Sequence, residues 1–343
     1  MNVFVAMSGG VDSSVVAFLL KQQGLDVAGF TCDLDGAYEK PIQQAKNICK
    51  KLNIQHYVID LHKEFKNMIV DNFNQQVMRN ITPLPCAWCN KIVKFGLLLE
   101  FCRKNNAKMA TGHYAKIIAK VGHNYEIHRA KDKIKDQTHF LNQINKSALK
   151  DILFPLGDFY KSDVFRIAQQ NQLFNIEEYK ESQDVCFFDG KSYEEYIKNI
   201  CIVETKGEIR HIATQNVLGF HNGLLKYTIG QRKGFGVSWK EPLYVVEKDF
   251  AKNILYVGEE ETLYSKSLIV KNVNLLVDLS DNFACEVCLR DKTPCIDANI
   301  CMQSSDVAKV ELARPARAIT NGQFCVFYKD DLLLGGGEIA NDK

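Results

Sequence analysis

Across the first ~190 residues, short apolar runs alternate with stretches whose apolar side chains recur at helical spacing. The pattern predicts strands over Asn2–Met7, Asp26–Cys32, His56–Asp60 and Ala107–Thr111. It predicts helices over Asp12–Gln23, Pro41–Leu52, Phe65–Met78 and Asn90–Lys104. In the second helix Ile42, Ala45, Ile48, Cys49 and Leu52 share one face. Strands that alternate with helices imply a parallel sheet covered on both faces, and such sheets bind ligands at the carboxyl ends of their strands. Beyond about Ser192 the texture changes to short β-patterned pieces broken by turn residues, among them Gly207–Ile212, Leu224–Ile229, Tyr244–Lys248 and Ile254–Val257. Short strands with turn signals continue from Leu268 to Ile339. The expectation is an α/β domain over residues 1–193, a small β-rich domain over 194–264 and another over 265–343.

Composition narrows the class. The chain has 343 residues, 46% hydrophobic and 24% charged, as in ordinary globular proteins. No apolar run reaches the ~20 residues that span a bilayer, and the first residues lack the basic and apolar regions of a signal peptide. A cytoplasmic protein with no membrane association is expected. The 43 basic and 41 acidic residues nearly cancel, so an RNA partner would have to be held by local basic patches. Such patches are present: Lys116, Lys120, Arg129, Lys131, Lys133 and Lys135 outnumber Glu126 and Asp132, and Lys226–Lys240 holds four basic residues and no acid. The twelve cysteines are scattered along a long chain without an export signal, which predicts mostly reduced thiols. Cys86, Cys89 and Cys186 stand out because they fall on expected loops beside other chemical groups. The later group Cys285, Cys288, Cys295 and Cys301 reads as separate buried thiols rather than a zinc site.

The first strand runs directly into Ser8, Gly9, Gly10, Val11, Asp12, Ser13 and Ser14, which open a helix. A glycine pair turns the backbone so that its amides face one point, and the helix start adds partial positive charge, so a phosphate is favoured there. The loop lacks the Gly-Lys-Ser/Thr of a Walker loop and the Gly-x-Gly-x-x-Gly of a dinucleotide loop. Asp12 can assist a magnesium ion or act within the first helical turn. Further along, Thr82-Pro83-Leu84-Pro85-Cys86-Ala87-Trp88-Cys89-Asn90 precedes a predicted helix, so Cys89 is expected beside a helix start that lowers a thiol pKa. A Cys-x-x-Cys zinc half-site is the alternative for Cys86 and Cys89. A third loop thiol, Cys186, lies in Ser182-Gln183-Asp184-Val185-Cys186-Phe187-Phe188.

The Ser8–Ser14 string resembles the PP-loop of ATP pyrophosphatases. The whole chain resembles the bacterial and mitochondrial tRNA 2-thiouridylase family, through eight ordered strings: Ser8–Ser14, Thr82–Phe95, Ala110–Ala115, Lys135–Leu141, Phe154–Gly157, Ser182–Phe187, Tyr227–Gly236 and Leu334–Gly337. The resemblance implies a PP-loop domain, a small central domain and a C-terminal β-barrel. It also implies ATP-dependent adenylation of the carbon-2 oxygen of the wobble uridine, followed by sulfur transfer that leaves 2-thiouridine, AMP and pyrophosphate. By resemblance Cys186 carries the persulfide and Cys89 is the partner nucleophile, the pair ending as a transient disulfide on movable loops. Cys32 and Gly112 match the ATP site, and His113 matches a residue beside the reacting base. Leu84, Pro85, Cys86, Lys135, Asp136, Gln137, Arg290 and Gln323 match contacts to tRNA. Implied partners are ATP, Mg2+, glutamate, glutamine and lysine tRNAs, and a sulfur carrier fed by a cysteine desulfurase. A monomer with no resident metal is expected. Trp88 and Tyr114 are candidate walls for a base splayed out of the anticodon, or else packing residues.

Two positions depart from the family pattern. Its Asn-Pro-Asp is Leu84-Pro85-Cys86 here, so a thiol replaces an aspartate, and Cys32 stands where many members have methionine. The extra thiol opens a rival: Cys86, Cys89 and Cys186 as three ligands of a four-iron cluster that binds sulfide. Another PP-loop ligase or synthetase, which would use ATP without these thiols, and a non-enzymatic RNA-binding protein are the remaining alternatives.

Overall fold

The computed structural model describes residues 2–34, 36, 39–79, 81–122, 124–173, 185–188, 190–200 and 205–340. Ser182, Gln183 and Asp184 lie outside the described residues. The N-terminal part contains β1 (Asn2–Ala6), β2 (Asp26–Asp33), β3 (His56–Asp60), β4 (Lys108–Ala110), the hairpin β5 (Ala115–Ala119) and β6 (Tyr125–Arg129), and β7 (Ile152–Leu153). Its sheet is parallel throughout, in the order β3-β2-β1-β4-β7. Val3 and Val5 of β1 are fully buried, so this central strand is packed from the helices around it. The first two helices, α1 (Val11–Gln22) and α2 (Glu39–Lys51), show how the pattern works. In α1, Val11, Val15, Val16 and Leu20 are buried, and α2 turns Ala45 and Cys49 inward.

A longer helical run follows β3: α3 (His62–Phe65), a wide π-type turn over Lys66–Val70, then α4 (Asp71–Met78). A second run joins α5 (Pro85–Cys89) through wide turns over Asn90–Leu98 to α6 (Leu99–Lys104). The predicted helix therefore starts five residues early. Pro85 opens it because its missing N–H would be unpaired at a helix start in any case, and both Cys86 and Cys89 are helical, not loop residues. The α/β part continues with α7 (Lys161–Gln170) and α8 (Tyr193–Ile200).

The central part is a four-stranded sheet, with β8 (Lys206–His211), β9 (Val217–Asn222), β10 (Tyr244–Asp249) and β11 (Ile254–Gly258) in the order β10-β11-β8-β9. The strand expected at Leu224–Ile229 is instead a tight helical turn, Leu224–Lys226, that drops Leu224 into the core with Ile209, Val245 and Leu255. The last part has β12 (Tyr264–Leu275), β13 (Asn282–Cys288), β14 (Ile296–Met302), β15 (Ala308–Arg317), β16 (Phe324–Lys329) and β17 (Leu332–Ile339). These run antiparallel as β12-β15-β14-β13-β16-β17, and pairing of β12 with β17 closes a six-stranded barrel. Closure removes the free edges a sheet would otherwise expose. The fold expected from sequence, α/β followed by two β-rich parts with a barrel last, is the one observed.

Barrel and first domain are continuous. Strand β6 pairs with β17, Ile127 opposite Leu333 and His128 opposite Leu332. Phe324, Val326, Tyr328 and Leu333 of the barrel share one buried cluster with Cys89, Val93 and Phe95 of the α5–α6 run. The barrel corrects one cysteine expectation: Cys288 and Cys295 form a disulfide instead of standing as separate thiols, and the Arg129 guanidinium donates to both sulfurs at 3.3 Å.

Candidate active site

The strand order reverses direction between β1 and β4, which opens a crevice at their carboxyl ends. The Ser8–Ser14 loop fills one side of it. Gly9 has φ +76°, and a Cβ there would stand 2.7 Å from the Pro41 carbonyl oxygen, so only glycine fits. Gly10 caps α1 with extended backbone. Ser13 and Ser14 donate to the Gly10 carbonyl at 3.1 and 2.9 Å, and the Ser8 amide donates to the Ser13 hydroxyl at 3.2 Å. These contacts hold the loop as a tight cup at the helix start, and Val11 anchors it from the core. From the β4 side comes the turn Thr111-Gly112-His113. A Cβ on Gly112 would lie 3.1 Å from the Asp12 Cβ and 3.3 Å from the Ser13 amide nitrogen, so the absent side chain is what lets the two turns meet.

Asp12 is fully engaged. Lys161, at the start of α7, places its ammonium 2.7 and 2.6 Å from the two Asp12 carboxylate oxygens, and the Tyr114 hydroxyl donates to the same carboxylate at 2.9 Å. Lys161 is only 11% exposed at its side chain. The sequence reading missed this residue because nothing local marks a lysine 149 positions away. Tyr114 is buried and serves this hydrogen bond, while Trp88 packs edge-on against Phe324 of the barrel with Lys91 over its ring.

The thiols gather next to this crevice. In α5, Cys86 is exposed and Cys89 is 8% exposed, and Cys186 opens a short turn, Cys186–Phe188, whose rings pack against Phe65 and Phe73. Charge on any of Cys86, Cys89 and Cys186 acts on Cys186 or Cys89, so the three sulfurs share one neighbourhood. Burial pushes the Cys89 thiol up, against a partial pull down from Lys94, so the expected lowering at a helix start is reversed. The Cys186 thiol is pushed to about 11, first by burial and then by Cys89 and Cys86. Burial also raises Cys86, with Lys94 opposing. Cys32, at the end of β2, is pushed to about 12 by burial and then by Cys89, which puts it beside the thiols as well as beside the loop.

His113 links the two halves. Its ring accepts or donates at 2.7 Å with Thr111 and lies against Phe95 and Phe154. Burial, then Lys94, holds its pKa well below the usual imidazole range, so the ring is neutral. Lys94 is thus the common cation of three thiols and His113, another residue that sequence reasoning did not single out. A signal existed: it lies inside the Thr82–Phe95 string, on the helix that carries Cys89.

The residues expected at tRNA are placed variously. Leu84 is half-buried and precedes α5, and Pro85 is its buried first residue. Asp136 is buried, accepting from the Ala130 amide at 2.8 Å, the Thr138 hydroxyl at 2.7 Å and Arg129 at 3.3 Å. The Gln137 side chain accepts from the Tyr114 amide, and the Lys135 amide donates to Asp132. Arg290 donates to the Ala318 carbonyl and to Thr320. Gln323 donates to the Thr82 carbonyl at 2.9 Å, and the Thr82 amide donates to Asn321, so a barrel turn holds the segment leading to α5. The basic stretch is less bare than its sequence suggests: Lys116 pairs with Asp158, Lys120 with Glu126 and Lys133 with Asp331. Arg232, Lys233 and Lys240 of the second stretch are exposed.

Among the described residues no three His, Cys, Asp or Glu side chains are arranged to hold a single metal ion. Among the described residues no helix is long and apolar enough to cross a membrane.

Three family models match in succession: one described as a tRNA methyl transferase HUP domain over residues 1–190, a tRNA methyl transferase PRC-barrel domain over 194–259 and an aminomethyltransferase beta-barrel domain over 265–339. The chain is similar over its full length to curated relatives called tRNA-specific 2-thiouridylase MnmA. That of Rickettsia typhi is 40% identical over 361 aligned residues, covering 99% of both chains. That of Aquifex aeolicus is 39% identical over 356, again 99% of both. That of a Hydrogenobaculum species is 41% identical over 354, covering 99% of this chain and all of the relative.

Proposed function

The chain belongs to the tRNA-specific 2-thiouridylase family, and from that membership we propose that it replaces the carbon-2 oxygen of a tRNA wobble uridine with sulfur at the expense of ATP. The observation that carries the reading is the joining of a phosphate-binding loop to a thiol cluster, through the Thr111-Gly112-His113 turn and Lys94. A methyl transfer, which the wording of two family models suggests, would need neither a pyrophosphate loop nor thiols.

A urea-type carbonyl oxygen leaves poorly, so it is first adenylated. The uridine oxygen attacks the α-phosphorus of ATP, pyrophosphate leaves, and the amides and hydroxyls of Ser8–Ser14 hold the departing charge. Lys161 adds a cation at the same loop. Asp12 is the one carboxylate of the loop and is bound by Lys161 and Tyr114; a magnesium ion brought in with the nucleotide would neutralise phosphate charge beside it. Gly112 and Cys32 flank the nucleotide. Cys186 then brings a persulfide. The Cys89 thiolate attacks the Cys186 sulfur, the sulfur–sulfur bond of the persulfide breaks, and the outer sulfur adds to carbon 2 as AMP leaves. The two electrons come from Cys89, which ends bonded to Cys186. Neutral His113 stands beside the reacting base without adding a charge to compete with Lys94.

On this reading Leu84, Pro85 and Cys86 lie at the base, with Lys135, Asp136, Gln137, Arg290 and Gln323 shaping the tRNA-facing surface. The substrates are glutamate, glutamine and lysine tRNAs, and sulfur arrives from a carrier protein of a cysteine desulfurase relay. The enzyme works as a cytoplasmic monomer, divided at about residues 193 and 264. The test incubates purified protein with unmodified glutamate or lysine tRNA, ATP, magnesium and a persulfide donor, then analyses digested nucleosides by mass spectrometry. We expect 2-thiouridine that needs ATP and is lost in Cys186→Ser. AMP formation without sulfur in the RNA would reject the thiolation step while keeping the PP-loop assignment.

A further inference from the structure

The barrel carries a disulfide, and a cation from the first domain rests on it. Cys288 ends β13 and Cys295 immediately precedes β14, so their bond closes the loop between these strands. The Arg129 guanidinium, from β6, donates to both sulfurs at 3.3 Å and lies 3.7 Å over the Tyr328 ring. It also donates to Asp136 at 3.3 Å, and Asp136 accepts from the Ala130 amide and the Thr138 hydroxyl. A disulfide is a weak acceptor and a thiolate a strong one, so a guanidinium held against the pair stabilises its reduced form over its oxidised form. That bias makes the bond reducible. Cys288 is buried, but Cys295 is half-buried beside exposed Lys292, Thr293 and Pro294, so a reductant approaches from the Cys295 side. In a cytoplasmic protein such a bond is an exchanging one and not a permanent brace.

We propose that Cys288–Cys295 is a reversible redox site that sets how firmly the tRNA-facing surface is held; its effect on tRNA rests on the function proposed above. A dithiol of the thioredoxin class attacks one sulfur, and a second exchange releases two protein thiols and the oxidised dithiol, so two electrons and two protons pass to the pair. Oxidised glutathione reverses the step and leaves as two reduced glutathione thiols. With the bond closed, the loop carries Arg290 in place, its guanidinium donating to the Ala318 carbonyl at 2.8 Å and the Thr320 hydroxyl at 3.0 Å. With the bond open, the loop loses its brace and Arg129 has a thiolate to pair with in place of Asp136. Both changes fall on residues assigned to tRNA: Arg290 in the loop, and Lys135, Asp136 and Gln137 in the segment that the Asp136 carboxylate ties to Ala130.

The experiment uses the full chain, as wild type and Cys295→Ser, equilibrated in glutathione buffers that run from reducing to oxidising. Samples are quenched in acid, alkylated and mapped by peptide mass spectrometry, and the wild-type Cys288–Cys295 bond should pass from open to closed within that range as one two-electron step. A bond that is closed, or open, in every buffer overturns the proposal without recourse to a variant. Hydrogen exchange over residues 129–138 should quicken about tenfold when wild type is reduced, and should be fast in every buffer for Cys295→Ser. Retention of unmodified glutamate tRNA on a filter should weaken about five- to tenfold over the same transition, with Cys295→Ser fixed at the weaker value. A tRNA response that persists in Cys295→Ser belongs to other thiols and overturns the role of this pair, as does tRNA bound equally by the oxidised and reduced forms. Quickened exchange with no tRNA bound in either form supports the redox site and rejects the tRNA function instead.

Discussion

Lys161 reaches from the start of α7 to the phosphate loop and binds both carboxylate oxygens of Asp12, at 2.7 and 2.6 Å. The pair is poorly exposed, and Tyr114 completes the carboxylate's partners. Removing one member of such a pair strands the other charge, which for this half-buried site costs about 2 kcal/mol. Lys161→Met should therefore lower unfolding stability by that amount and cut AMP formation at least about 100-fold, since a transition-state cation is lost. The double variant Lys161→Met, Asp12→Asn should regain the stability without the activity. Recovery of AMP formation in the double variant would make Lys161 a purely structural residue.

Gly9→Ala places a methyl group at φ +76° and against the Pro41 carbonyl. The strain, about 1–3 kcal/mol, has to be relieved by moving the loop. We expect binding of a non-hydrolysable ATP analogue, followed by calorimetry, to weaken at least about tenfold, the equivalent of 1.4 kcal/mol. Unchanged affinity would remove the loop from the nucleotide site.

The sheet was legible because its period-2 and helical segments are long and separated by clear breaks, and the loop because its chemistry is local: Gly9 and the serines satisfy one another within seven residues. The start of α5 was not legible, since Pro83 and Pro85 read as a stiff loop whereas Pro85 opens a helix. That error reversed the expected pKa of Cys89: a thiol near a helix start is favoured as thiolate, but this one is buried by Phe324 and Val326, more than 230 residues away. The Lys116–Lys135 charge excess is partly offset for the same reason, because Asp158 and Asp331 are delivered by the fold. Cys288 and Cys295 look like any two scattered cysteines until β13 and β14 are paired. The contacts invisible in the sequence are the non-local ones, and here they include the cation of the phosphate loop and the burial of Cys89.

Gln323 ties the barrel to the active helix through its bond to the Thr82 carbonyl. Losing one such bond costs about 1 kcal/mol, too little to unfold the chain. Gln323→Ala should leave ATP-analogue affinity intact and lower the rate of 2-thiouridine formation about three- to tenfold, because α5 and its thiols lose one of their supports. Calorimetry and nucleoside analysis on one preparation separate the two effects. Equal losses in both would show that the barrel turn supports the whole domain and not the thiol helix in particular.

The resting thiols are protonated, and this sets a pH dependence with a definite sign. Cys186 stands at about 11, so the thiolate is a minor species at neutral pH and grows with every step toward that value. Alkylation of Cys186 by iodoacetamide, quantified by peptide mass spectrometry, should rise about tenfold per pH unit from 7 to 10, with no plateau, because only the thiolate reacts. Lys94 lowers the pKa of Cys86, Cys89 and Cys186 alike. Lys94→Met should therefore slow alkylation of all three at fixed pH, and Cys301, for which Lys94 is no partner, serves as the internal reference. A plateau for Cys186 below pH 9 would mean a thiolate stabilised at rest, and the free enzyme would then be poised for sulfur transfer before ATP or tRNA arrives. The rising profile expected here instead places the activation of the thiols after substrate binding, when bound ATP and tRNA change what surrounds them.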